Sequence, residues 1–298
     1  MFLSWVLLLK VIWIKVLKRT HPDLVILCTK TTLPDIEKDI KICIANKVNV
    51  MTSSEHAYFW KLTNEEVGKE IDMLAKNAQV TVCAGGVQDV FWGIIPSSLT
   101  ATCQEIYSIE GKTLAMVDDF GPGVMEEAFV GCTREEFEEK TEQVKNPPLS
   151  AFEISIYALA DKLQLHLISK HSSFEPIIID KDLYCRALNR NIPAGDLIGS
   201  IAKTELITEE NIKISCSFIS KLKEENDTAY SKWNIKGIPN ITSTIDDMHG
   251  EVTTTTSVIN RIPDIMKAKP GFITVNDLDV PYYKNKILNK YQEEEEII

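Results

Sequence analysis

Apolar and polar positions settle into a regular rhythm from about residue 20. Asp23–Thr29 (DLVILCT) is a short apolar run bounded by Pro22 and Lys30, the pattern of a parallel strand buried on both faces. A helix is predicted over about Leu33–Lys47. Ile36, Ile40, Ile42, Cys43 and Ile44 supply its apolar face, Thr31 or Thr32 its N-cap and Pro34 an early helical position. Val48–Thr52 (VNVMT) reads as a second strand. Asn64-Glu65-Glu66 opens another helix with Val67, Ile71, Met73, Leu74 and Ala75 on or near the inner face, closing at Lys76-Asn77. Val80–Ala84 (VTVCA) is a third strand and stops at Gly85-Gly86. Short strands alternating with helices predict right-handed βαβ units and a parallel sheet.

After Asp89 the rhythm changes. Val90–Leu99 predicts a helix that Pro96 shortens or bends. Ile106–Val117 is extended and leads into Asp118-Asp119-Phe120-Gly121-Pro122-Gly123, where an acidic pair suits a turn. Helices follow at Thr133–Lys145 and Ala151–Leu163, separated by a turn at Asn146-Pro147-Pro148. His166–Ile241 is mostly strand-like, with a hairpin turn at Glu224–Asp227. This region predicts an open, mainly antiparallel sheet with two helices on one face. Thr253–Lys269 is a final helix ending at Pro270-Gly271.

Length and composition narrow the classes. With 298 residues, 44% hydrophobic and 25% charged, the chain is globular and long enough for two domains. A net charge of −11 argues against nucleic acid, which needs a basic surface to displace counterions. Phe2–Leu17 is strongly apolar but carries Lys10 and Lys15. It is shorter than the ~20 residues of a spanning helix and lacks the layout of a signal peptide. The expectation is an amphipathic helix over Ile12–Lys18 preceded by atypical sequence; an anchor with snorkelling lysines is the alternative. The Glu293–Glu296 run reads as a solvated tail. Seven scattered cysteines without a CxxC pair give neither a disulfide framework nor zinc spacing, which suits a reducing, cytoplasmic location. No metal-ligand spacing occurs.

Ligands of parallel sheets sit outside the carboxyl ends of the strands. Here those ends are Thr29-Lys30, Thr52-Ser53-Ser54-Glu55-His56 and Ala84-Gly85-Gly86-Val87-Gln88-Asp89, all polar or glycine-rich. Several segments resemble one family. They are His21-Pro22-Asp23-Leu24-Val25-Ile26, Asn49-Val50-Met51-Thr52-Ser53-Ser54-Glu55, Ala84–Trp92 (AGGVQDVFW) and the distal block Gly250–Leu278. In that order and spacing they resemble the NAD(P)-dependent reductases with a dihydrodipicolinate-reductase-like fold, in the branch of 2,4-diaminopentanoate dehydrogenase and its amine-dehydrogenase relatives. The fold expected is α/β: a truncated Rossmann-type parallel sheet plus a second α+β domain with an open, mainly antiparallel sheet. The domains expected are a partial dinucleotide-binding domain at 1–92, a substrate and oligomerisation domain at 93–250, and a helix and tail at 251–298 returning to the first. The family's G-x-G-x-x-G turn does not occur in these residues; Gly121-Pro122-Gly123 has Glu126 where the third glycine would stand. The paired-histidine and lysine site and the Ser-Gly-Thr anion loop of genuine dihydrodipicolinate reductases do not occur either.

The resemblance implies hydride transfer between NAD or NADP and a carbon bearing nitrogen, on a small amine or imine substrate. Thr29 and Lys30 would contact ribose or pyrophosphate, and Ser53 and Ser54 would line the same cofactor edge. Gly85 and Gly86 would let backbone approach the nicotinamide. Glu55 is the acid–base candidate, because a partly dried carboxyl can exchange protons with an amine; its alternative is a helix cap. His56 reads as structural. Gln88 could bind the substrate amine or orient the ring amide, whereas Asp89 reads as the N-cap of the helix from Val90. The Thr253–Ser257 run suits a helix start, with Thr254 touching substrate or cofactor or making interdomain hydrogen bonds. His249 could face substrate or simply be exposed. A homodimer through exposed sheet edges is a further expectation. The competing function is a non-catalytic relative that uses the fold for binding or assembly.

Overall fold

The computed structural model describes residues 13–143 and 149–285. The residues before Trp13, the Asn146-Pro147-Pro148 turn and the Glu293–Glu296 run lie outside them. Residues 13–20 are helical, in line with the amphipathic segment expected there. The chain folds as two units, residues 1–90 with 251–298, and residues 91–250.

The first unit is built from β1 (Leu24–Leu27), α1 (Leu33–Ala45), β2 (Asn49–Thr52), α2 (Glu55–Tyr58), α3 (Trp60–Thr63), α4 (Glu65–Ala78) and β3 (Thr81–Ala84). It is completed by α9 (Gly250–Lys267) and β12 (Gly271–Phe272). The sheet runs β1-β2-β3-β12, with every pair parallel. Leu27 stands level with Thr52, and Thr52 with Ala84, so three strands end on one line. Leu33, Ile36, Ile40, Cys43 and Ile44 form the buried face of α1, a helical spacing. Thr32 holds the N-cap position without capping; its hydroxyl donates to Asp35 Oδ2 at 2.6 Å instead.

In α4 the Asn64 side chain accepts from Val67 N, a working cap. Gly68, Ile71 and Ala75 are buried, but Met73 is exposed. Two residues on from Ile71 the helix has turned most of the way to its opposite side. Trp60 explains Gly68: a Cβ there would lie 2.1 Å from Trp60 Cε3. The same indole stacks on Phe272 at 5.5 Å and donates to Phe272 O at 3.0 Å.

The second unit carries α5 (Ile95–Thr100), β4 (Glu105–Met116), α6 (Pro122–Glu127), α7 (Arg134–Gln143) and α8 (Ala151–Lys162). Strands β5 (Leu167–Ile178), β8 (Leu197–Thr208), β9 (Lys213–Lys221), β10 (Tyr230–Ile238) and β11 (Ile241–Asp246) follow. Six of the strands form a sheet in the order β11-β10-β4-β9-β8-β5. Only β4–β9 is parallel in it; the other pairs are antiparallel, so the sheet is mixed rather than uniformly antiparallel. Strands β6 (Leu183–Cys185) and β7 (Arg190–Ile192) pair as a separate hairpin. On the main sheet Trp233 stands opposite Gly111, and Gly111 opposite Cys216. The bare Gly111 admits Phe152 of α8, whose Cζ would be 2.7 Å from a Cβ there. Phe152 meets Trp233 edge-on at 5.6 Å and Trp92 at 4.8 Å. Buried Glu153 of α8 has Lys170 Nζ 2.6 Å away.

Gly68→Ala tests the packing of the first unit. Alanine gains about 1 kcal/mol of helix propensity, but the approach to Trp60 forces overpacking worth roughly 1–3 kcal/mol. Thermal denaturation should therefore show a lower midpoint; an unchanged or higher midpoint would mean that the indole yields freely.

Candidate active site

The line of strand ends brings the candidate residues together. Beyond β1 the chain exposes Cys28, Thr29 and Lys30. Beyond β2 Ser53 is half-buried and Ser54 fully buried. Ser54 N is held by Thr52 Oγ1 at 3.1 Å, and its hydroxyl donates to Thr31 O at 2.6 Å. That hydroxyl ties the end of β2 to the β1–α1 link. Glu55 follows as the first residue of α2 and is half-buried. His56 packs against the same link, its N–H donating to Thr31 O at 3.3 Å. Burial lowers the imidazole pKa, against an opposing pull from Asp35.

Beyond β3 the backbone turns sharply. Gly85 N donates to Thr52 O at 3.0 Å and Asp89 N to Gly86 O at 3.2 Å. Gly86 has φ +156, a region that L side chains rarely adopt. A Cβ on it would meet Gln88 Oε1 at 2.8 Å and Thr254 Cγ2 at 3.2 Å, and one on Gly85 would meet Met51 Cε at 2.8 Å. Both glycines are buried, and the turn closes tightly against Met51, Gln88 and Thr254. Val87 N donates to Thr254 Oγ1 at 3.3 Å, which draws Thr254 to the glycines inside the first unit. Because α9 already starts at Gly250, the threonine run lies in its first turns, and Thr256 bonds back to Val252 O at 2.7 Å. His249 is exposed, 3.6 Å from Asp247.

Asp89 departs from its expected role. It does not cap a helix: it lies inside a π-helix, Gln88–Ile94. Its carboxylate receives Arg261 Nε at 2.7 Å and Nη2 at 2.9 Å, with both side chains wholly buried. Such a planar two-point pair is the strong form of carboxylate recognition. Burial pushes the Asp89 carboxyl pKa up, against the bonds from Arg261. Arg261 also donates to Asp279 O at 2.6 Å and reaches Asp264 Oδ2 at 3.3 Å. Tyr58 OH donates to Gln88 O at 3.3 Å, and burial, with Asp89 nearby, pushes its phenol pKa well up. Arg261 and Tyr58 escape a reading of the sequence because they touch the turn only through tertiary folding; a basic residue on the apolar side of α9 is the one local sign.

Among the described residues no group of three or more His, Cys, Asp or Glu is placed to hold a metal ion. An open cleft of about 440 Å³, lined by Leu17, His21, Asn46, Asn49 and Met266 among others, lies by the amino ends of β1 and β2, away from these groups. No helix among the described residues is long and apolar enough to cross a membrane.

A parallel sheet with a glycine turn beyond its third strand, in one chain with an open mixed sheet, is the architecture of the Rossmann-type dehydrogenases. Residues 93–294 match the 2,4-diaminopentanoate dehydrogenase C-terminal domain. The 2,4-diaminopentanoate dehydrogenase of Acetoanaerobium sticklandii is 30% identical over 269 residues, spanning 87% of this chain and 74% of that protein. An amine dehydrogenase from Mycobacterium smegmatis matches in structure with a TM-score of 0.84 at 30% identity, over 92% of this chain and 81% of that one. A myo-inositol 2-dehydrogenase from Lactobacillus plantarum matches at 9% identity with a TM-score of 0.51, over 86% and 74% of the chains; this likeness is one of fold alone. The chain belongs to the 2,4-diaminopentanoate dehydrogenase family.

Thiol exposure gives a direct check on the strand-end geometry. Cys28 is exposed just past β1, whereas Cys43 and Cys83 are buried; burial pushes the Cys43 thiol up to about 12 and that of Cys83 up as well. Alkylation of the native protein by iodoacetamide, followed by peptide mass spectrometry, should modify Cys28 at least about tenfold faster than either. Equal rates would contradict the placement of these strands.

Proposed function

We infer that the chain is an NAD(P)-dependent oxidoreductase acting on a small amine or imine substrate. The observation that carries this reading is the common line of strand ends at Leu27, Thr52 and Ala84, with Gly85 and Gly86 bare beside it, in a chain of this family. At both glycines a side chain would collide with its neighbours, so only bare backbone fits at this strand end, where parallel sheets of this kind seat their ligands. The first unit is then the dinucleotide-binding domain and the second the substrate domain, with residues 251–298 completing the first.

When bound, the dinucleotide supplies the ring that exchanges hydride with the substrate carbon. The chain's own groups hold and protonate. Thr29, Lys30 and Ser53 take the ribose and pyrophosphate side. Ser54 holds the shape of that edge through its bond to Thr31 O. Gly85 and Gly86 admit the ring, and Gln88 and Thr254 orient its amide or the substrate. Glu55 accepts the proton that an ammonium must lose before its carbon can surrender hydride, and returns it in the reverse direction. A cytoplasmic location and a homodimer through the edge strands of the second unit's sheet belong to the same reading.

Fluorescence titration with NADH and with NADPH tests it, and the better ligand assigns the cofactor. Saturable binding by the wild type should disappear in Gly86→Val, whose side chain would meet Gln88 and Thr254. Glu55→Gln should bind within about twofold of wild type yet turn over amines about 10²–10⁴-fold more slowly. A folded wild type that binds neither dinucleotide would overturn the reading.

A further inference from the structure

We propose that Arg261 is a positioning residue, which sets the course of the 85–89 turn and so the seat of the nicotinamide. The inference rests on the functional reading above. Asp89 closes that turn, and both of its carboxylate oxygens are taken by Arg261. Val87 N is held by Thr254 Oγ1 and Gln88 O by Tyr58 OH, so three successive residues are fixed from outside the turn. Two of the three holders, Thr254 and Arg261, sit on α9, seven residues apart, or two helical turns.

The helix that imposes this geometry is itself anchored. Arg261 donates to Asp279 O at 2.6 Å, and Asp264 receives Lys284 Nζ at 3.0 Å as well as Arg261 Nη1 at 3.3 Å. Asp89, Arg261, Asp264 and Lys284 therefore alternate in charge along one chain of contacts. A guanidinium serves here where an ammonium would not: its flat fork meets both Asp89 oxygens and still has an N–H for Asp279 O. Arg261 touches neither glycine. Its effect on the ring passes through Asp89 and the backbone between residues 85 and 89.

The test is the double variant Asp89→Asn/Arg261→Gln, which replaces the ion pair with neutral amides and strands no buried charge. Affinity is measured for NADH and NADPH and, in parallel, for ADP-ribose and its 2′-phosphate, which lack the nicotinamide. A displaced turn should weaken nicotinamide dinucleotide binding by about tenfold or more while leaving the truncated ligands within about twofold. Should the double variant not fold, Arg261→Lys, which keeps the charge and loses the fork, must show the same selective loss. A merely structural role predicts equal weakening of both ligand types, or of neither, and either result would overturn the proposal. A wild type that binds ADP-ribose or its 2′-phosphate but gains nothing from the nicotinamide would also overturn it. A folded wild type that binds no dinucleotide would sink the functional reading and this proposal together, which separates that failure from the others.

Discussion

The ion pair between Asp89 and Arg261 is the constraint on which the turn beyond β3 depends. Both side chains are fully withdrawn from water, at a desolvation cost of several kcal/mol per ion that the attraction repays only in good geometry. The pair therefore specifies more than it stabilises. It requires α9 to lie where Arg261 can reach the end of the β3 turn, although 172 residues separate the partners in sequence. It also requires Asp89 to face inward, and the π-helix that begins one residue earlier is the backbone's way of reconciling that demand with the chain's onward path. π-helical segments inside helices recur at functional sites.

The glycines belong to the same constraint. With Ala84 fixed by the sheet and Asp89 fixed by Arg261, the residues between must reverse within a short span. Gly86 supplies the positive φ, and Gly85 the room beside Met51. Bare backbone at this point is thus a mechanical result of closing the turn. Trp60 plays the comparable part lower in the unit, joining α4 to β12 by stacking on Phe272 and bonding to its carbonyl.

How much of this was legible in the sequence depended on the range of the interaction. The strands near Asp23, Val48 and Val80 and the helices near Leu33 and Asn64 were readable because burial on both strand faces and on one helix face leaves a local pattern. The strand ends, and with them Thr29, Ser53, Glu55 and Gly85, followed from the same pattern. Asp89 was misread as a helix cap because an aspartate before an apolar run carries the same local signature whether it caps or pairs. The one-turn helices at Glu55–Tyr58 and Trp60–Thr63 are too short to show a period. The parallel β4–β9 pair could not be read at all, since strand order is settled by tertiary packing and leaves no mark on either strand.

Burial also decides which groups near the turn are free to move protons. The Tyr58 phenol is pushed well up and spends its proton on Gln88 O. Asp89 has both oxygens engaged by Arg261. Cys83 lies inside β3 with its thiol pushed up. Each is a good scaffold group and, for the same reason, a poor exchanger of protons with a ligand. Glu55 differs in kind. It heads a one-turn helix at a strand end and keeps part of its surface in solvent, so a substrate that covers it would change its surroundings. In the role proposed above, a carboxylate so placed takes the proton that an ammonium sheds and returns it in the reverse direction. In that proposal the two sites are complementary: the pair at Asp89 holds a turn still, and Glu55 meets what settles against it.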